Sequence, residues 1–388
     1  MQPVRIAGVA VTPFGEHPDR HGRDLFAEAS DRALADAAVP HADIDEVLYG
    51  NFIGEVTEDQ GHQGPLVAAA AGTTAAATRF ESACASGGAA MRAGVRAVRS
   101  GEADVVLVGG MERMTNVDVH EATDALALAA DDLHERRVGM TFPGAYALLT
   151  RAYLREHGGS REDLAAVAVK NHEHAMNNDK AHLQQQITVQ DVLDAPPIAD
   201  PIGLYDACPI SDGAAAVVLV SEDYADEHEV DAPVAVTGTG QSSDTLALQR
   251  RVNRAYTPAT ERAANTAYDQ AAIGPDDVDL VEVHDCFTIA EVLALESLGF
   301  YEPGAGLSAA ADGETAADGD RPVNLSGGLK AKGHPVGATG VAQIAEVTDL
   351  LTGEHPNSDA VPDATVGLAH NAGGTVASAI VHVLEVTQ

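Results

Sequence analysis

The segment Phe80-Glu81-Ser82-Ala83-Cys84-Ala85-Ser86-Gly87-Gly88-Ala89-Ala90-Met91 limits the possible folds more than any other part of the chain. It sets one cysteine among very small side chains, after a short extended stretch and before a long Ala-rich run. From Ala85 to Ser100 the run predicts a helix, with Met91, Val95 and Val98 at helical spacing and only three arginines to wet it. Side chains this small let other backbones approach closely, so the helix is expected to lie buried between further elements. Cys84 would sit at or near its first turn, where unpaired N–H groups and the positive end of the helix dipole favour a thiolate. A protein prepares a sulfur nucleophile in this way. The other reading is a small core residue, as most free cysteines are, and the segment by itself leaves both open.

A chain of 388 residues has room for one large or two ordinary domains. Its apolar fraction of 45% is that of a globular protein, but aromatics make up only 4% and Trp is absent. Ala, Val and Gly must fill the interior, which suits closely packed helices and sheets. With 59 acidic against 23 basic residues the net charge is −36, and a nucleic-acid backbone would be repelled. The acids are dispersed instead of gathered in a tail, and lysine occurs only as Lys170, Lys180, Lys330 and Lys332. An evenly acidic, lysine-poor surface predicts a protein of a salt-loving organism. At about 1 M salt the Debye length falls to roughly 3 Å and the self-repulsion is screened. Three cysteines, Cys84, Cys208 and Cys286, form no disulfide framework and predict a reducing, cytoplasmic setting. Pro3–Val11 reads as a strand without signal-peptide character. No apolar run approaches the roughly 20 residues that span a bilayer.

In chain order, a helical stripe over Asp24–Ala38, a strand at Ile44–Asn51, a helix over Leu66–Gly72 and the Cys84 unit lead to a continuous apolar strand, Ala103–Gly110. Buried strands alternating with helices predict an α/β fold. From 116 to 199 the pattern turns irregular, with helices over Ala145–Glu156 and Asp163–His174, and reads as an insertion that supplies binding surface. The core resumes at the glycine-led strand Ser211–Val220, so residues 1–115 and 200–231 form a first half. Residues 232–388 repeat its order. There Val278–Asp285 parallels the strand at Ile44, and Asn324-Leu325-Ser326-Gly327-Gly328 leads through Gly333-His334-Pro335-Val336-Gly337-Ala338-Thr339-Gly340 to an apolar helix, as at Cys84.

The second half supplies partners for Cys84. His284-Asp285-Cys286-Phe287 follows a buried strand, at the carboxyl end of the sheet where α/β proteins place chemistry. His334 precedes a proline suited to a first helical turn, and a histidine there has its neutral form favoured. His370-Asn371-Ala372-Gly373-Gly374 follows another strand. Each alone is commonly structural; together they put a nucleophile, imidazoles, a second thiol and glycine N–H groups at equivalent ends of repeated units. Cys208 reads as structural. His172, His174 and His182 lack acidic or cysteine ligands at metal spacing and read as residues of a solvated helix, so no metal is expected.

With these blocks the chain resembles the thiolase superfamily over essentially its whole length. The resemblance rests on Glu81–Gly88, Val108–Glu112, Ser211–Ala216 and above all Asn324–Gly340. Where most thiolases carry Asn-Glu-Ala-Phe and Cys-x-Gly, this chain has His284-Asp285-Cys286-Phe287 and Asn371-Ala372-Gly373, as in the archaeal and sterol-carrier-protein types. The resemblance implies two duplicated βαβαβαββ halves in a five-layered α-β-α-β-α sandwich. It implies that Cys84 carries the acyl group, that His334 helps activate it, and that Cys286 moves the proton at the reacting carbon. His284 would orient a water or donate to an oxyanion, and the N–H groups of Cys84 and Gly373 would hold the acyl-enzyme oxyanion, with His370 and Asn371 in support. Arg250, Arg251 and Lys332 either meet the phosphates of coenzyme A or balance nearby acids; the first is the expectation.

The expected activity is condensation of two acetyl-CoA into acetoacetyl-CoA, as at the head of the mevalonate pathway, with no bound cofactor. The alternatives are a degradative 3-ketoacyl-CoA thiolase for longer chains and a non-catalytic acyl-CoA-binding subunit. The resemblance further implies a homodimer or homotetramer. It also implies association with a zinc-ribbon, OB-fold subunit and hydroxymethylglutaryl-CoA synthase.

Overall fold

The computed structural model describes residues 2–387. Its strands are β1 (Val4–Val11), β2 (Glu46–Gly50), β3 (Ala76–Phe80), β4 (Val105–Glu112), β5 (Pro197–Ala199), β6 (Ile202–Gly203), β7 (Gly213–Ser221), β8 (Val234–Ser243), β9 (Leu280–Glu282), β10 (Val366–Gly373) and β11 (Ser378–Val386). Apart from the β5–β6 hairpin they run in the order β3-β2-β4-β7-β1-β8-β11-β10-β9.

That order is one pattern used twice. In the first half β1 pairs antiparallel with β7, β7 antiparallel with β4, and β4 parallel with β2, which pairs parallel with β3. In the second, β8 pairs antiparallel with β11, β11 antiparallel with β10, and β10 parallel with β9, which has a single parallel bridge from Val281 to Val323. A short seam, Arg5 opposite Ala235 and Ile6 opposite Val234, joins the halves.

The strands are apolar on both faces because both are covered. In β7, Ala215, Val217 and Leu219 share a cluster with Met91, Val95, Val341 and Ile344, whereas Ala214, Ala216, Val218 and Val220 share another with Leu25, Phe26 and Ala29. On the far side of the second half, Ala379, Val381 and Val383 pack against Ala259, Ala263 and Ala267. The layers are therefore the Gly22–Asp36 helix, one half-sheet, the Ser86–Ser100 and Thr339–Thr352 helices, the other half-sheet, and the Pro258–Ala271 helix. Small residues permit the close crossing at the centre, as the run at Cys84 predicts. A Cβ on Gly340 would lie 2.3 Å from the Gly88 nitrogen, and one on Gly87 2.7 Å from the Gly337 carbonyl oxygen.

Between β4 and β7 the helices Phe142–His157 and Arg161–Ala175 pack, through Tyr146, Tyr153 and Leu164, on Ile289, Val292 and Leu293 of a helix over Thr288–Ser297. The sequence pattern had not separated that last helix from its neighbours, because it is buried all round and carries no amphipathic stripe. His172 and His174 are likewise buried, not solvated as expected. His172 Nδ1 lies 2.8 Å from the Gln185 carbonyl and His174 Nδ1 3.0 Å from that of Asn324. His182 lies beyond the helix, its Nδ1 2.9 Å from the Ser211 hydroxyl.

Candidate active site

Three loops meet at the same end of the repeated units. The first follows β3, where Ala83 takes a left-handed φ of +52° and Cys84 comes two residues before the Ser86–Ser100 helix begins. The second follows β9, which stops at Glu282 and frees His284, Asp285 and Cys286. Asp285 fastens this loop by accepting from Asn171 Nδ2 (2.7 Å) and from the N–H groups of Leu329 (2.7 Å) and Lys330 (3.2 Å). The third carries His334, five residues ahead of the Thr339–Thr352 helix.

The Cys84 sulfur and nitrogens of His284 and His334 lie within 4.8 Å of one another. The two imidazole rings stand edge to face, 4.9 Å between centroids. Hydrogen bonds from behind give them opposite roles. The Thr339 hydroxyl donates to the Pro335 carbonyl (3.0 Å), so at 2.7 Å it accepts from His334 Nδ1–H and leaves a lone pair on Nε2. Asn371 accepts the Gly88 N–H on its Oδ1 (3.2 Å), which turns its Nδ2 toward the Cys84 carbonyl (3.1 Å) and His284 Nδ1 (3.2 Å). An amide nitrogen only donates, so His284 carries its proton on Nε2. Both Nε2 atoms are buried and have no hydrogen-bond partner among the described residues. One imidazole thus offers an acceptor and the other a donor, an acid–base pair beside a thiol. A metal cage would need a lone pair from each ring.

Burial sets the charge states. It pushes the Cys84 thiol up to about 12 although the Gly374 N–H points at the sulfur. It takes His334 down to about 3, and His284, also facing His334 and His370, well below the ordinary imidazole value. The expected resting thiolate is therefore corrected: desolvation outweighs the helix terminus. Burial thus favours a thiol beside a neutral imidazole.

Cys84, Cys286 and His334 line a cavity of about 610 Å³ whose other walls include Val119, Leu126, Phe142, Ile198 and Ile210 from the segment between β4 and β7. Cys286 lies outside the 4.8 Å triangle, and burial raises its thiol well above the usual value. Tyr146, which sequence reasoning missed, faces it, stacks on Phe287 at 4.5 Å and donates to the Gly374 carbonyl (3.0 Å). Cys208, expected to be structural, also lines this cavity, and its N–H donates to the Cys286 carbonyl (3.0 Å). His370 stands behind the site, its Nε2 3.1 Å from Thr260 Oγ1 and its Nδ1 3.5 Å from the His284 N–H.

Other expected residues are placed differently. Gly373 lies in β10 where a Cβ would meet the Ser82 carbonyl oxygen at 2.5 Å, so it permits close approach, while the N–H aimed at the sulfur belongs to Gly374. Lys332 is buried with its Nζ 3.5 Å from Glu346, and Arg251 is buried on the Thr375 carbonyl and hydroxyl, so neither is free for phosphates. Both serve as internal counter-ions or braces, which the local sequence could not show. Arg250 is exposed, 3.4 Å from His134 Nε2.

A duplicated five-layer sandwich with a cysteine and two histidines at its centre defines a thiolase-type acyltransferase. The chain matches the family models "Thiolase, N-terminal domain" over residues 4–223 and "Thiolase C-terminal domain-like" over residues 240–386. It belongs to the thiolase family. It is 47% identical over 384 residues, 99% of each chain, to an acetyl-CoA acetyltransferase of Methanothermobacter thermautotrophicus. It is 30% identical to human sterol carrier protein 2, over 95% of this chain and 70% of that one. Among solved structures, the Ltp2-ChsH2(DUF35) aldolase is similar with a TM-score of 0.84 at 26% identity, covering 99% of this chain and 98% of that one.

Proposed function

We propose that the chain is an acetyl-CoA C-acetyltransferase that joins two acetyl-CoA into acetoacetyl-CoA through a thioester on Cys84. The observation that carries this reading is the opposed pair of imidazoles beside Cys84. His334 Nε2 takes the thiol proton as the sulfur attacks acetyl-CoA and returns it to the departing coenzyme A. The Gly374 and Cys84 N–H groups face the sulfur and support the oxyanion of that step. A second acetyl-CoA then presents its carbonyl oxygen to His284 Nε2–H, and Cys286, its own proton passed to the now neutral His334, takes the proton from the methyl carbon. The resulting carbanion attacks the acetyl thioester, the bond to the Cys84 sulfur breaks, and the sulfur recovers a proton from His334.

The size of the cavity favours a second reading, thiolysis of longer 3-ketoacyl-CoAs. One series of assays tests both: thiolysis of acetoacetyl-CoA with coenzyme A, then of longer homologues, with mass spectrometry of the Cys84 peptide. An acetylated Cys84 with measurable acetoacetyl-CoA turnover is expected; no acyl group on Cys84 would overturn the proposal.

Two further proposals concern surroundings. All four lysines are buried or nearly so, which leaves no exposed lysine for the phosphates of coenzyme A and supports a shared site with a small zinc-ribbon, OB-fold subunit. That a two-chain aldolase shares the fold is consistent with this. Full activity and unchanged coenzyme A affinity of the homo-oligomer alone would count against it. The net charge of −36 supports a halophilic protein, and its melting temperature is expected to rise between low and molar KCl.

A further inference from the structure

The chain's four lysines differ in one respect. Lys170 pairs with Glu291 at 2.6 Å, Lys180 with Asp349 at 2.7 Å and Lys332 with Glu346 at 3.5 Å. Lys330, only 1% exposed, has no carboxylate at ion-pair distance among the described residues, and it lines the Cys84 cavity. Its Nζ donates to His172 Nε2 at 3.3 Å; His172 can accept there because its Nδ1–H is given to the Gln185 carbonyl. The two acids whose charge bears on it are engaged elsewhere, Asp285 on Asn171 Nδ2 and the N–H groups of Leu329 and Lys330, and Asp206 on Thr288 Oγ1 and the Gly203 N–H. An ammonium has three N–H donors. Further N–H groups of this one are free for a ligand in the cavity, in a chain whose acids outnumber its bases by more than two to one.

A buried charge without a counter-ion is unfavourable unless a ligand completes it. We propose that Lys330 and His172 form an anion subsite in the acyl cavity, and that the substrates include 3-oxoacyl-CoAs whose acyl chain ends in a carboxylate. A single carboxylate matches one buried cation, whereas the phosphates of coenzyme A carry several charges. In thiolysis of such a substrate the C2–C3 bond breaks. The two-carbon fragment takes a proton at C2 and leaves as acetyl-CoA. The remaining acyl group, carboxylate included, stays on the Cys84 sulfur until a second coenzyme A thiol takes it. Burial holds Lys330 down to about 8, against the opposing pull of Cys208, Asp285 and Asp206. Neutral His172 and the Tyr205 ring, 5.9 Å from Nζ, also face it. The subsite should therefore weaken as pH rises past 8.

This inference rests on the thiolase reading, and the test separates the two. Succinyl-CoA and butyryl-CoA share a four-carbon acyl chain and differ by the terminal carboxylate. Calorimetric titration of the full-length Cys84→Ala protein with each at pH 7 should show succinyl-CoA binding about 10–100-fold more tightly, the worth of one charged hydrogen bond. In the Cys84→Ala, Lys330→Met protein that ratio should fall close to one, with the butyryl-CoA affinity reporting whether the cavity has kept its shape. Equal affinities before Lys330 is replaced would overturn the subsite alone. So would a ratio that survives Lys330→Met. Failure of both ligands to bind, with the zinc-ribbon subunit added as well as without it, would overturn the reading of this cavity as an acyl-CoA site and the subsite with it.

Discussion

In the first half a five-residue strand, β3, delivers Cys84 to the start of a central helix. In the second half the equivalent place beside β9 is held by the single bridge to Val323, and a π-helical turn over Gly328–Lys332 precedes His334. The helices diverge as well: Ser86–Ser100 shows arginines at its surface, while Thr339–Thr352 is buried at almost every position. Cys84 is partly buried at the cavity wall; His334 is enclosed, with Thr339 fixing its tautomer. The repeated topology explains why both reactive atoms reach one point. The difference in exposure fits the division of labour proposed above, with the less enclosed Cys84 as nucleophile and the more enclosed His334 as its base.

The strongest way to break this comparison is to remove the proposed nucleophile. Cys84→Ala should lower condensation and thiolysis by ~10⁴–10⁶-fold, as loss of a covalent catalyst does elsewhere, and no acyl-enzyme should form by mass spectrometry. The two groups of the His284–Cys286 loop come next. Cys286→Ala should still acylate and exchange acetyl groups with coenzyme A, yet lose condensation by about 10²–10⁴-fold. His284→Asn, which can still donate to an oxyanion or a water, should lose less. If Cys286→Ala condenses near-normally while His284→Asn does not, the substrate proton passes through His284.

A smaller effect sharpens the contrast between the two units. Thr339→Val leaves His334 Nδ1–H without its acceptor, a cost of about 1–3 kcal/mol, so acylation of Cys84 should slow by about 10–100-fold, with Thr339→Ser restoring it. An unchanged acylation rate would show that Thr339 does not set the tautomer. The last effect is on stability and leaves the chemistry untouched. His334 and His370 are held down to about 3, and His172, His174 and His382 to about 4, chiefly by burial. Below the unfolded value near pH 6.5 the unfolded chain binds protons that the folded chain refuses. Stability therefore falls with pH by about 1.4 kcal/mol per unit for each such histidine until its folded value is reached. The urea midpoint should drop steeply between pH 6.5 and pH 4; a flat profile would mean that these imidazoles are already charged in the folded state.

Much of this was legible in the order of residues. Small side chains around Cys84 and Gly340 require a crowded centre, doubly apolar strands require cover on both faces, and reactive residues just past strands must gather at one end of the sheet. Those are local properties, carried by periodicity and size. What only the tertiary structure decided was the state of each group. Asn371 reaches Cys84 across 287 positions and Tyr146 reaches Gly374 across 228, so neither the proton on His284 nor the company of Cys286 could be read from neighbours in sequence. Lys330 and Lys332, two residues apart, face an open cavity and a buried glutamate respectively, through a π-helical turn that no periodicity announces. Charge, tautomer and burial depend on whatever the folded chain brings within a few ångströms, and that is fixed only when distant segments close on one another.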